Sequence, residues 1–104
     1  VGGPNRTTYC STKFALEGFT KSLAIELAPN GIRVNSICPT FIKTPMTEPF
    51  LKDKDFKNQV LSMIPLGRLG EVEDLMGPFV FLASDASSMM TGSSVLVDGG
   101  WTSR

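Results

Sequence analysis

The feature that most constrains this chain is the order of its strand-like and helix-like segments. Ile32-Arg33-Val34-Asn35-Ser36-Ile37-Cys38 and residues 93–97 both read as short β-branched strands, and each follows a stretch of helical periodicity. Two strands joined through a helical crossover run parallel, with a right-handed connection. The coarse order is therefore helix, strand, long loop, helix, strand, which is an α/β pattern. Two short strands do not make a stable sheet. Further strands are expected before residue 1. The chain opens on Val1, not Met, and reaches a helical pattern almost at once, as a fragment would.

Residues 9–28 predict the first helix. At 100° per residue Leu16, Phe19, Leu23 and Leu27 form one apolar face, with Tyr9, Lys13 and Thr20 on or beside it. Phe14, Gly18 and Ile25 form a second stripe nearly opposite, so cover is expected on two sides. Thr7 and Thr8 are available N-caps, and Pro29-Asn30-Gly31 is a stop signal. Residues 39–70 form a long connection broken by Pro39, Pro45, Pro49 and Pro65, the kind of length used for lids and binding loops. Inside it Phe56, Val60, Met63 and Ile64 mark an amphipathic helix over residues 53–63. Residues 71–83 predict the second main helix, with Glu71, Glu73 and Asp74 at its positive end. Pro78 removes the bond to the Asp74 carbonyl and is expected to bend it. Asp98-Gly99-Gly100 reads as a turn.

Composition excludes several function classes. Ten basic and ten acidic side chains cancel, and no basic cluster offers a footprint for nucleic acid or an anionic membrane. The chain has no His, which removes Ser-His-Asp and Cys-His catalysis and imidazole zinc sites. Cys10 and Cys38 cannot form a four-thiolate centre, and no metal site is expected. They read as small buried thiols in a chain unlike a secreted disulfide scaffold. No apolar run approaches the ~18 residues of a membrane span, and no signal-peptide pattern is visible. A soluble, cytoplasmic protein is the default expectation. At 41% hydrophobic content the chain can build a core, and its 104 residues fit one domain at most.

One pair of residues carries pointed chemistry. Tyr9 and Lys13, at i and i+4, project from one helix face within reach of each other. A free phenol loses its proton only near pH ~10, and a neighbouring ammonium favours the phenolate. Tyr-x-x-x-Lys is therefore a sensible proton-transfer unit. The spacing alone is weak, since by composition roughly one tyrosine in seventeen would have a lysine there. An ordinary surface pair is the alternative.

The motifs around that pair narrow the choice. Tyr9-Cys10-Ser11-Thr12-Lys13, followed by Ala15 and Leu16, resembles the active-site helix of the classical short-chain dehydrogenases/reductases. Gly31 to Pro39 resembles the strand after it, and Phe41-Ile42-Lys43-Thr44-Pro45-Met46 the nicotinamide-side loop. Pro65-Leu66-Gly67-Arg68-Leu69-Gly70, Glu73-Asp74 and Phe81-Leu82-Ala83-Ser84-Asp85 resemble the late helix and its flanks. Thr91-Gly92 with Val97-Asp98-Gly99-Gly100 resembles the C-terminal strand and turn. The blocks occur in the family's order across nearly the whole chain, in the manner of its 3-oxoacyl-acyl-carrier-protein reductase and sugar-alcohol dehydrogenase members.

The resemblance implies that residues 1–104 are the C-terminal segment of a single Rossmann-type, doubly wound domain whose nucleotide-binding half is absent. It implies an NAD- or NADP-dependent oxidoreductase that interconverts a secondary alcohol and a ketone by hydride transfer. Tyr9 would exchange a proton with the substrate oxygen. Lys13 would tune Tyr9 and hydrogen-bond the nicotinamide ribose. The Ile42 backbone and the Thr44 hydroxyl would hold the carboxamide, and Tyr9, Pro39 and Thr40, the last two at the entry to that loop, would also bind the cofactor. The partners implied are a small alcohol or carbonyl substrate and a second copy, in a homodimer or homotetramer built on the 9–28 helix and the C-terminal strand. The alternative is an inactive fragment or degenerate relative that keeps only the interaction surfaces.

Three departures stand out. Thr40 replaces the glycine usual after the loop proline, so it must take ordinary backbone geometry or alter the loop entry. Pro78 is unusual in the late helix. The family's glycine-rich phosphate loop and its catalytic serine are not in these residues, and Ser11 is not that serine. Met89 and Met90 read as packing residues. Trp101 reads as exposed unless a partner covers it, and Phe50, Leu51 and Phe56 as lid residues or ordinary helix packing.

Overall fold

The computed structural model describes residues 2–103. Its elements are α1 (Thr7–Leu27), a 3₁₀ turn (Ala28–Asn30), β1 (Ser36–Pro39), α2 (Glu48–Leu51), α3 (Lys54–Ser62), α4 (Glu73–Ala83), a second 3₁₀ turn (Asp85–Ser87) and β2 (Ser94–Val97). β1 and β2 pair in one sheet. The Ser36 N–H donates to Ser93 O and the Thr40 N–H to Val97 O. Both partners advance by four residues in the same direction, so the strands are parallel, as the helical crossover required. No helix among the described residues is long and apolar enough to cross a membrane.

The chain divides into two compact units, Val1–Ser36 with Phe81–Val95, and Ile37–Val80 with Leu96–Arg104. In the first, α1 starts two residues earlier than the periodicity suggested. Arg6 takes the N-cap position and makes no side-chain cap bond, so Thr7 and Thr8 lie within the helix instead of capping it. The stop signal works as expected: Gly31 takes the left-handed conformation, φ 71°, that closes the 3₁₀ turn. The residues α1 buries are Thr20 and Ala24. Leu23 and Leu27 of the expected face are half-buried, while Leu16 and Phe19 stay exposed. Phe14 and Ile25 of the opposite stripe are exposed as well.

The strand expected over residues 32–38 is shorter and displaced. Residues 32–35 are held by side chains instead of a ladder. The Arg33 guanidinium donates to the carbonyls of Leu82 (2.7 Å), Ser84 (3.3 Å) and Met90 (3.2 Å). The Asn35 amide donates to Met90 O and accepts from the Ser93 N–H. The Val34 carbonyl accepts from Gly92 N–H at 2.7 Å. Side-chain bonds from Arg33 and Asn35 thus tie this segment to residues 82–93, beside the single backbone bond at Val34. Met89 is fully exposed, against the expectation of packing.

The second unit is organised around Val60, Ile64 and Leu69, with Phe41, Leu51, Phe56, Leu61 and Trp101 packed against them. α3 matches its expected helix, with Asp53 capping it by accepting from the N–H groups of Asp55 and Phe56. Trp101 is covered by its own chain, stacked on Phe41 at 5.7 Å between centroids. Leu51 and Phe56 are packing residues, and Phe50 alone of that trio is exposed. α4 begins at Glu73, two residues later than expected, and runs through Pro78. Gly99 and Gly100 adopt φ of 62° and 90° in the expected turn. A Cβ on Gly99 would stand 2.6 Å from Ile64 Cγ2.

Candidate active site

Tyr9 and Lys13 belong to the first unit, and Pro39, Thr40, Ile42 and Thr44 to the second. The first pair sits on the opening turns of α1. The Lys13 ammonium lies 5.5 Å from the centroid of the Tyr9 ring, and the Arg6 guanidinium 5.9 Å from it. Tyr9 is 55% exposed. The helix backbone around it is tied down locally. The Thr12 hydroxyl donates to the Tyr9 carbonyl at 2.7 Å, and the Ser11 hydroxyl donates to the Thr7 carbonyl. Ser11 is thereby engaged with its own helix. Cys10 and Cys38 are each half-buried, less than expected.

In the second unit the loop after β1 is pinned on both sides of Ile42. Thr40 has ordinary backbone geometry, since Asn5 is the sole non-glycine at positive φ among the described residues. Its N–H continues the pairing to Val97. Thr40 therefore stands at this position without backbone strain. Ile42 then forms a parallel bridge with Gly70. The Gly70 N–H donates to Phe41 O and the Lys43 N–H to Gly70 O, each at 2.9 Å. This pattern turns the N–H and C=O of Ile42 to the opposite side. There the Ile42 carbonyl accepts from the Thr47 hydroxyl at 2.6 Å. The Ile42 N–H meets no acceptor among the described residues. Gly70 is required by the bridge, because a Cβ there would run into Ile42 Cδ1.

Thr44 sits two residues past the bridge residue Ile42, half-buried. Its hydroxyl lies 3.2 Å from that of Thr47 and accepts from the Thr47 N–H at 3.3 Å. Its carbonyl accepts from the N–H groups of Thr47 and Glu48, which starts α2. The segment carrying Gly70 is fixed in turn. Arg68 makes a two-pronged bond to Asp74, at 2.7 and 2.8 Å, and the Asp74 carboxylate also accepts from the Glu71 N–H. The Arg68 hydrogen bond first, and then the Glu71 N–H, hold the Asp74 carboxyl well below the usual carboxylate range. The Arg68 guanidinium is pushed up by the same partner. Lys43 pairs with Glu71. In the C-terminal turn the Thr102 hydroxyl, the strongest influence, together with the Thr102 and Gly100 N–H groups, lowers the Asp98 carboxyl. Asp98 is thus a turn residue.

The sequence reading missed α2, the Ile42–Gly70 bridge and Thr47. Pro49 at the second position of α2 was a usable signal for a helix start. The Thr44-x-x-Thr47 spacing signalled a hydroxyl-tied turn. A one-residue bridge has no periodicity and leaves no trace. No group of three or more metal-ligating side chains occurs among the described residues.

Comparison with known proteins agrees with this architecture. A family model described as enoyl-(acyl carrier protein) reductase matches residues 1–102. L-xylulose reductase of Bos taurus is 49% identical over 100 residues, covering 96% of this chain and 41% of the bovine protein. Among solved structures, a gluconate 5-dehydrogenase from Burkholderia cenocepacia in complex with NADP and tartrate superimposes with a TM-score of 0.96 at 34% identity. It is covered over 41% of its length by all of this chain. A 4-hydroxyisoleucine dehydrogenase complexed with NADH gives 0.95 at 36% identity, with all of this chain spanning 43% of it. The chain thus spans about two fifths of the relatives it matches. A motif series in register, a parallel α/β fold shared with Rossmann-type dehydrogenases, and a family model over nearly every residue lead to one assignment: the chain belongs to the short-chain dehydrogenase/reductase family.

Proposed function

We propose that the chain is the C-terminal segment of an NAD- or NADP-dependent oxidoreductase that interconverts a secondary alcohol and a ketone. The observation that carries this reading is the Tyr9–Lys13 pair, with an exposed tyrosine and an ammonium 5.5 Å from its ring. The names of its relatives support the reaction class, and two structural neighbours hold NADP and NADH. The bound dinucleotide would supply the hydride chemistry. The chain's own residues do the rest. Tyr9 gives its hydroxyl proton to the carbonyl oxygen in reduction and takes a proton from the alcohol in oxidation. Lys13 donates to the ribose and keeps a positive charge beside the ring.

The second unit carries the residues proposed for the carboxamide. A carboxamide offers one carbonyl acceptor and an NH₂ donor. The Ile42 N–H, with no acceptor among the described residues, suits the first, and a lone pair of the Thr44 hydroxyl can accept from the second. Pro39 and Thr40 set the entry of that loop from β1. The substrate is a small alcohol or carbonyl compound. The assembly is a homodimer or homotetramer through α1 and β2, supported by the exposed Phe14 and Ile25 flanking Gly18.

The test is a cofactor-absorbance assay of the complete protein against sugar, polyol and acyl-thioester ketones and alcohols. Turnover with at least one, together with saturable NAD(P)H binding, is expected. Absence of both would overturn the reading in favour of a relative that keeps only its interaction surfaces.

A further inference from the structure

We infer that Thr47 is a positioning residue for the nicotinamide end of the cofactor, an assignment that rests on the reading just given. Thr47 occupies the N-cap position of α2, yet its side chain makes no cap bond to that helix. It turns back to the loop. A hydroxyl has one proton and two lone pairs. Its closest acceptor is the Ile42 carbonyl, at 2.6 Å, while the Thr44 carbonyl lies at 3.2 Å, so the proton goes to Ile42. The lone pairs face the Thr44 N–H at 3.0 Å and the Thr44 hydroxyl at 3.2 Å.

Two consequences follow. With the Thr47 proton committed, the Thr44 hydroxyl is the donor in the contact between them, which gives Thr44 a defined polarity. The peptide on the far side of Ile42 is also locked. Gly70 holds the Phe41 carbonyl and the Lys43 N–H, while Thr47 holds the Ile42 carbonyl. One side chain thus ties both residues assigned to the carboxamide. A binding group held this way loses little freedom when its ligand arrives.

The test compares Thr47→Val, which keeps the branched shape and deletes the hydroxyl, with Thr47→Ser, which keeps the hydroxyl. Both are made in the complete protein. NAD(P)H is titrated by fluorescence, alongside ADP-ribose or its 2′-phosphate, which lack the nicotinamide. Thr47→Val is expected to weaken NAD(P)H about tenfold, the scale of one or two lost hydrogen bonds. It should leave the ribose analogue within about twofold, and Thr47→Ser should match wild type for both ligands. Equal weakening of both ligands by Thr47→Val would mean general damage to the loop and would overturn the assignment. So would a Thr47→Ser variant as weak as Thr47→Val, or unchanged NAD(P)H binding in Thr47→Val. Where wild type binds NAD(P)H and Thr47→Val binds it equally, this inference alone falls. Wild type that binds no NAD(P)H would overturn the parent reading and this one together.

Discussion

The unit Ile37–Val80 with Leu96–Arg104 has an apolar centre of its own, Val60, Ile64 and Leu69 under a layer of aromatic rings. The unit Val1–Ser36 with Phe81–Val95 buries Thr20, Ala24 and Ser87, two of them polar. It is held by Arg33 and Asn35 on backbone groups, and by Glu17, which accepts from the hydroxyls of Ser36 and Ser94. Yet the helix of this second group carries the larger apolar side chains outward, with Phe14, Leu16, Phe19 and Ile25 all more than half exposed. A helix that is apolar on two sides is normally covered on two sides. The loop assigned to cofactor thus rides on an apolar core, while the helix assigned to proton transfer keeps most of its large apolar side chains exposed.

The comparison can be broken by mutation, starting with the cores. Leu69→Ala in the complete protein is expected to cost about 2–5 kcal/mol in denaturant unfolding, the usual range for emptying a packed site. Leu16→Ala distinguishes two views of α1. Exposed as it is here, Leu16 would contribute within about 0.5 kcal/mol. If strands of a larger domain cover it, as proposed, the loss is about 2 kcal/mol or more. The proposal requires the second value, and a loss indistinguishable from zero would contradict it. Gly99→Ala comes next. It forces a side chain into left-handed backbone and into Ile64, and an expected cost of about 1–3 kcal/mol should appear as a lowered unfolding midpoint.

Acid sharpens the comparison further. Asp74 and Asp98, both in the unit with the apolar centre, have carboxyls lowered from the ordinary 3.8. Their folded forms hold the charge more firmly than the unfolded chain does. Their contribution is therefore complete above about pH 4 and is lost as pH falls through the lowered values. Asp98→Asn should flatten the fall of the unfolding midpoint below about pH 4 while changing its slope little near neutrality. An unchanged acid slope would show that the turn does not titrate with folding.

The smallest effect on stability is expected at Gly18, where an added Cβ meets nothing within 4 Å. A glycine inside a helix costs about 1 kcal/mol relative to alanine unless its smallness is used. Gly18→Leu should leave the protomer folded and dissociate the oligomer in sedimentation. The same oligomer in wild type and variant would assign that face another role.

Much of this was legible in the residues. The parallel order followed from a crossover between two β-branched segments, and Gly31 and Gly99 announced their stop and turn by chemistry that few residues share. What escaped had either no period or a competing explanation. Arg33 and Asn35 lie in the segment expected as a strand on its β-branched residues, but they hold it through side-chain hydrogen bonds to backbone groups. Leu16 and Phe19 read as a buried face because periodicity reports what a helix can bury, not what lies beside it. The Tyr9–Lys13 contact followed from helical spacing alone, whereas the bond from Thr47 back to Ile42 depended on a turn that spacing does not specify.

The central claim is that Tyr9 moves the proton, and the most direct measurement is the turnover of Tyr9→Phe in the complete protein beside its NAD(P)H affinity. The substitution removes one hydroxyl and keeps the ring. Turnover is expected to fall by about 10²–10⁴-fold, the usual worth of a positioned acid–base group, with cofactor affinity nearly unchanged. Lys13→Met should instead lower turnover and affinity together. A Tyr9→Phe variant that folds normally by circular dichroism and turns over at the wild-type rate would reduce the pair to a surface contact and contradict the assignment.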